Sequence, residues 1–250
     1  FEIVDGKLKL KDSIATNYEN KSILNIEITA TDQTGLSVTQ SIAVTVNNVN
    51  EQPTQINLSQ TSFDEATAGA IVGTLNTEDE DIDDTYIYTL SGTDADVFEI
   101  VNDQLKLKDS IEGNFEAKDT YTVTITSTDA GGLSLSHDFT ITVNDVNEPV
   151  AFISLGTSNY GFVSEGVKGA LIDSFITDDP DLNETRTYLL SGRDADYFEV
   201  VDGQLKLKND VALDYESLTD EYVEDGTVYK YLYAQVTVID SAGFTAKSDI

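Results

Sequence analysis

Phe98-Glu99-Ile100-Val101-Asn102-Asp103-Gln104-Leu105-Lys106-Leu107-Lys108 is a stretch that the chain uses three times. Its counterparts are Phe1-Glu2-Ile3-Val4 to Leu8-Lys9-Leu10-Lys11, 97 residues earlier, and Phe198-Glu199-Val200-Val201 to Leu205-Lys206-Leu207-Lys208, 100 residues later. The tag before it, Leu90-Ser91-Gly92-Thr93-Asp94-Ala95-Asp96, returns as Leu190-Ser191-Gly192-Arg193-Asp194-Ala195-Asp196. A period of that length is a whole small domain and not one turn of a solenoid.

Around this stretch the hydrophobic pattern has period two. Leu24, Ile26, Ile28 and Ala30 alternate with polar residues, as do Tyr121, Val123, Ile125 and Ser127, and then Leu232, Ala234, Val236 and Val238. Phe139, Ile141 and Val143 match Ile42, Val44 and Val46 in the following run. Such alternation buries one face of a strand and leaves the Thr/Ser face wet. Turns at Thr34-Gly35 and Gly131-Gly132 separate neighbouring runs, and no helical stretch carries an apolar stripe. The expected fold is all-β, a tandem array of Greek-key β-sandwiches. The boundaries read as 1–51 for the C-terminal half of a first repeat, 52–148 for a complete second, and 149–250 for a third that stops inside its last strand. From Glu216 to Asp240 is 24 positions, against 13 from Glu116 to Asp129. The extra residues fall around Thr219–Gly226 and read as a lengthened surface hairpin.

Composition narrows the function. With 46 acidic and 14 basic residues the formal net charge is −32. That argues against nucleic acid and anionic membrane surfaces as partners, since both require a cationic face. Cysteine is absent and His137 is the one imidazole, so disulfides, thiolate chemistry and zinc are disfavoured. No apolar run is long enough to span a bilayer, and no membrane insertion is expected of this segment. So many carboxylates repel one another in a folded chain, and a hard divalent cation with oxygen ligands would relieve them.

The carboxylates hold fixed places in the repeat. An early Glu is Glu65, then Glu165. An Asp-x-Asp pair is Asp79 and Asp81, then Asp179 and Asp181. A triplet is Asn17-Tyr18-Glu19, Asn114-Phe115-Glu116 and Asp214-Tyr215-Glu216. A late Asp is Asp32, Asp129 and Asp240. A junction is Asn48-Val49-Asn50-Glu51, then Asp145-Val146-Asn147-Glu148. This order resembles the cadherin repeat, and more specifically the bacterial cadherin-like repeats of large surface adhesins, over the whole chain. The triplet has an aromatic where the family has Arg, and the junction has Glu for its usual second Asp.

The resemblance implies Ca2+ ions, up to three at each joint between repeats. It assigns Glu65, Glu116, Asp145, Asn147, Glu148, Asp179, Asp181 and Asp240 to the second joint. It assigns Glu19, Asn48, Asn50, Glu51, Asp79, Asp81 and Asp129 to the first. With five carboxylates against seven, the first joint is expected to bind more weakly.

An EF-hand over Asp79–Leu90 fails, because Asp84 stands at the glycine position and Leu90 at the terminal Glu position. Paired carboxylates repeating at every joint, with one histidine, argue against an enzyme. The resulting expectation is a calcium-rigidified extender in an extracellular or cell-surface adhesion protein, whose partners are the neighbouring repeats. The rivals are direct adhesion by the third-repeat insertion, through homophilic contact, another surface protein or a glycan, and a subunit role in an extracellular assembly.

Overall fold

The computed structural model describes residues 1–156, 161–181 and 184–250. Among these, every regular element is a strand except three 3-10 turns of three residues each, Ala95–Val97, Ala195–Tyr197 and Tyr215–Ser217. The chain divides into two units, Phe1–Asn144 and Asp145–Ile250.

The first unit opens with two hairpins. Strands β1 (Glu2–Val4) and β2 (Lys7–Lys9) form one, and β3 (Ile23–Thr31) and β4 (Ser37–Thr45) the other. A sandwich follows, built from β5 (Gln55–Leu58), β6 (Ser62–Asp64), β7 (Ile71–Glu78), β8 (Ile87–Ser91), β9 (Phe98–Val101), β10 (Gln104–Leu107), β11 (Thr120–Thr128) and β12 (Ser134–Asn144). One sheet has the order β5-β7-β10-β9 and the other β6-β12-β11-β8, with β6 parallel to β12. The core between them contains Phe63, Val72, Phe98, Leu105, Leu107, Tyr121, Val123, Ile125, Ile141 and Val143. Tyr121 meets Phe98 edge to face at 5.7 Å. These are the inward positions of the alternating runs, and removing their apolar area from water drives the sheets together. Ser127 occupies the last inward place on β11 and is fully buried. Its hydroxyl lies 2.8 Å from that of Thr77, which is itself 2.9 Å from the Tyr88 hydroxyl.

The second unit repeats the plan with β13 (Phe152–Leu155), β14 (Leu171–Asp178), β15 (Thr187–Ser191), β16 (Phe198–Val201), β17 (Gln204–Leu207), β18 (Glu221–Glu224), β19 (Thr227–Lys230), β20 (Gln235–Ile239) and β21 (Thr245–Asp249). The sheets are β13-β14-β17-β16 and β15-β20-β21. Val238 stands where Ser127 stands in the first unit and joins Val150, Ile153 and Val236 in the core.

The repeated stretch is itself a hairpin. Both central residues of its turn have positive φ: Asp5 and Gly6, Asn102 and Asp103, Asp202 and Gly203. That is the backbone a two-residue type I′ turn demands. The insertion of the third repeat is also a hairpin, β18 with β19, turning at Asp225 and Gly226 (φ 48° and 79°). Tyr222 and Tyr229 stack across it at 5.1 Å. The tag before each repeated stretch has a structural use. Asp94 accepts the Thr122 N–H at 2.8 Å and pairs with Lys118. Asp194 accepts the Tyr233 N–H at 2.8 Å and pairs with Arg193.

Candidate metal centre

The late aspartates are fixed by their own turns. Asp129 Oδ1 accepts the Leu133 N–H at 2.8 Å, Asp32 Oδ1 the Leu36 N–H at 3.0 Å, and Asp240 Oδ1 the Phe244 N–H at 2.8 Å. Each carboxylate therefore closes the hairpin it begins and keeps one oxygen for other partners. Burial pushes the Asp129 carboxyl up, but hydrogen bonds from Asn50 and the Leu133 amide hold it below the usual carboxylate range. Asp240 behaves alike, with the Phe244 amide and Asn147 outweighing burial.

The junction residues reach these anchors. Asn50 Nδ2 donates to Asp129 Oδ2 at 3.0 Å, and Asn48 Nδ2 to Asp81 Oδ1 at 2.8 Å. The Glu51 N–H donates to Asp81 Oδ2 at 2.9 Å. A β-carbon on residue 131 would fall 2.0 Å from Asn50 Oδ1, so Gly131 makes room for this contact. The second unit repeats the pattern internally: Asn147 Nδ2 to Asp240 Oδ2 at 3.3 Å, and the Glu148 N–H to Asp181 Oδ2 at 2.7 Å.

In the first unit these bonds gather two adjacent carboxylate groups. Oxygens of Glu19, Glu51 and Asp81 lie within 4.8 Å of one another, as do those of Asp79, Asp84 and Asp129. The Asp81 N–H donates to Asp79 Oδ1 at 3.2 Å and links the two groups. All seven residues assigned to the first joint thus converge. Asp84 joins them without having been assigned. In the sequence it is the last acid of the run Asp79-Glu80-Asp81-Ile82-Asp83-Asp84.

Glu65, from the second assigned set, is buried and accepts the Phe115 N–H at 2.6 Å, next to Glu116 on the same triplet. In the second unit the equivalent Glu165 lies with Asp214 and Glu216, their oxygens within 4.8 Å, all three exposed. Asn114 Oδ1 accepts the Ala117 N–H at 2.6 Å. His137 lies on the surface of β12, edge to face with Phe139 at 4.8 Å.

The first-unit group suits a divalent ion. Glu51 Oε2, Asp79 Oδ2 and Asp84 Oδ2 are buried oxygens without a hydrogen-bond partner, a costly state for a carboxylate. Burial, and then the charges of Glu19 and Asp81, push the Glu51 carboxyl up. Burial and the charges of Asp79 and Asp84 push the Tyr86 hydroxyl to about 12. The donor set is all oxygen, which calcium or magnesium takes and softer metals do not require.

Paired sheets in both the second and the third repeat, with an acidic junction in the chain between them, give a tandem cadherin-like β-sandwich fold. It superimposes on protocadherin gamma B7 extracellular cadherin domains 1–4 with a TM-score of 0.66 and 22% identity, covering 94% of this chain and 58% of that one. The figures for mouse cadherin-23 EC22–24 are 0.60, 16%, 94% and 75%. In sequence it is 24% identical to human protocadherin gamma-A9 over 267 residues, covering all of this chain and 27% of that protein. It is 22% identical to human cadherin-related family member 2 over 237 residues, covering 86% of this chain and 18% of that protein. These relatives support a place in the cadherin family, and the chain spans about a quarter or less of their own length. No protein-family model matches it.

Proposed function

We propose that the chain is a calcium-stiffened extender segment of an extracellular or cell-surface adhesion protein, with no enzymatic role. The observation that carries this reading is the pair of carboxylate groups in the first unit, with orphaned buried oxygens on Glu51, Asp79 and Asp84. Glu19 comes from the half-repeat, Glu51 from the junction and Asp81 from the next sandwich, so one ion held by all three ties these parts together. Calcium supplies positive charge and tolerates six to eight oxygens in irregular geometry. The protein positions the oxygens: turns fix Asp129, the junction asparagines brace Asp81 and Asp129, and the Asp81 amide steadies Asp79. Without the ion the same carboxylates repel and the joint loosens. By repeat position alone, Glu65, Glu116, Asp145, Asn147, Glu148, Asp179, Asp181 and Asp240 are assigned the same work at the second joint.

The relatives, named as cadherins and protocadherins, support adhesion as the setting. That the parent is a large surface adhesin of the bacterial cadherin-like kind rests on motif spelling alone. Small-angle scattering of the chain in millimolar calcium and in chelator tests the extender reading. A narrower, longer distance distribution in calcium is expected, and identical profiles refute it. Direct adhesion by the third-repeat hairpin is a second reading, supported by the exposed Val223, Val228 and Tyr231. Loss of cell or self-adhesion on deleting 219–226 would favour it.

A further inference from the structure

Residues 79–86 and 179–186 are the same stretch of two successive repeats, and the described residues of the two are used differently. In the first unit Asp79 Oδ2 and Asp84 Oδ2 are buried without a hydrogen-bond partner, beside Asp129. In the second unit Arg186 takes the place of Tyr86. Its Nη2 lies 3.2 Å from Asp179 Oδ2, its Nε donates to the same oxygen at 3.4 Å, and Nη2 also reaches the Asp181 carbonyl at 3.5 Å. The Asp179 side chain is completely buried. Glu184, the counterpart of Asp84, turns instead to Ser241, accepting its N–H at 3.3 Å and its hydroxyl at 3.2 Å. In the first unit Ala130 stands at that place and has no hydroxyl to offer. The same carboxylate oxygen is thus orphaned in one unit and ion-paired in the other.

A guanidinium is always charged and only donates, so it can satisfy a buried carboxylate as a metal ion would, but without dissociating. We propose that Arg186 is a built-in replacement for one divalent ion. The Asp79–Asp84–Asp129 group takes a calcium ion whose counterpart at Asp179–Glu184–Asp240 is replaced by Arg186, so the second joint holds one ion fewer than repeat position assigns it. This inference rests on the calcium reading above. Its consequence is that the second unit keeps these acids compensated in chelator, whereas the first depends on the ion.

Calcium calorimetry on the 250-residue chain, with melting followed in EDTA and in calcium, tests it. Arg186→Tyr, which copies the first unit, is expected to bind one more ion per chain than wild type. It should melt lower than wild type in EDTA and recover in calcium. Arg186→Gln, which keeps donors and drops the charge, should gain the same ion. Tyr86→Arg should lose one. If wild type binds calcium and the Arg186 variants bind the same number of ions, the proposal is overturned and the calcium reading stands. A melting loss equal in EDTA and calcium would make Arg186 merely structural, again overturning it. No binding by wild type overturns both readings.

Discussion

The Thr122 N–H donates to the Asp94 carboxylate at 2.8 Å, pinning the tag that precedes the repeated stretch to the start of β11. The Lys118 ammonium, and then this amide, hold the Asp94 carboxyl below the usual range; Arg193 leads the same effect at Asp194. A carboxyl with a lower pKa folded than unfolded stabilises the fold above its unfolded value near 4, and the gain fades as pH falls through the folded value. Asp94→Asn should therefore cost about 1–3 kcal/mol at pH 7 and lose less than wild type between pH 7 and pH 3. Urea midpoints at the two pH values measure this, and an equal loss in both proteins would contradict the pairing.

Thr77 serves two hydroxyls, that of half-buried Tyr88 and that of buried Ser127. Thr77→Val keeps the shape and strands both partners, so a loss of about 1–3 kcal/mol is expected. Thr77→Ser should retain most of the stability. Chemical denaturation of the three proteins separates the hydroxyl from the methyl group.

Glu51 should change sign with the metal. Its carboxyl is pushed up by burial and then by Glu19 and Asp81. A carboxyl whose pKa is raised on folding opposes folding above its unfolded value, so Glu51 destabilises the fold at neutral pH when no cation is present. Glu51→Gln should raise the melting temperature in EDTA and lower it in calcium, relative to wild type. A fall under both conditions would show that Glu51 is not held against its neighbours' charge.

The β18–β19 hairpin pairs only with itself among the described strands. Gly226→Ala forces a side chain into φ 79° and should cost about 1 kcal/mol locally. Hydrogen exchange should quicken at residues 221–230 while calcium affinity stays unchanged. A shift in calcium affinity would tie the hairpin to the metal sites.

The sandwich was legible because its strands alternate cleanly, and the inward set from Tyr121 to Ser127 is buried as the pattern requires. The insertion, too, read as the hairpin it forms. What the pattern could not give was the pairing of polar atoms. Nothing in the order of residues says that Asp94 receives a strand amide, or that the Asp129 turn consumes one carboxylate oxygen. Arg186 illustrates this most sharply. Counting acids by repeat position gives the second set the larger number, but the count takes no account of the guanidinium that folds back onto Asp179. Asp84 lies outside the repeat pattern for the opposite reason: its run fits no helical calcium loop, while the sandwich turns it toward Asp79 and Asp129.

The two-residue turn at Asn102 and Asp103 leaves no slack between β9 and β10. One extra residue there would send Leu105 and Leu107 out to water and Lys106 into the core, because strand side chains alternate faces. The added length of the third repeat sits in a ribbon whose pairing no other described strand shares. Lineages of this chain are thus free to grow at 219–230 and locked at 102–103, so length variation among copies should mark where the fold keeps no count of residues.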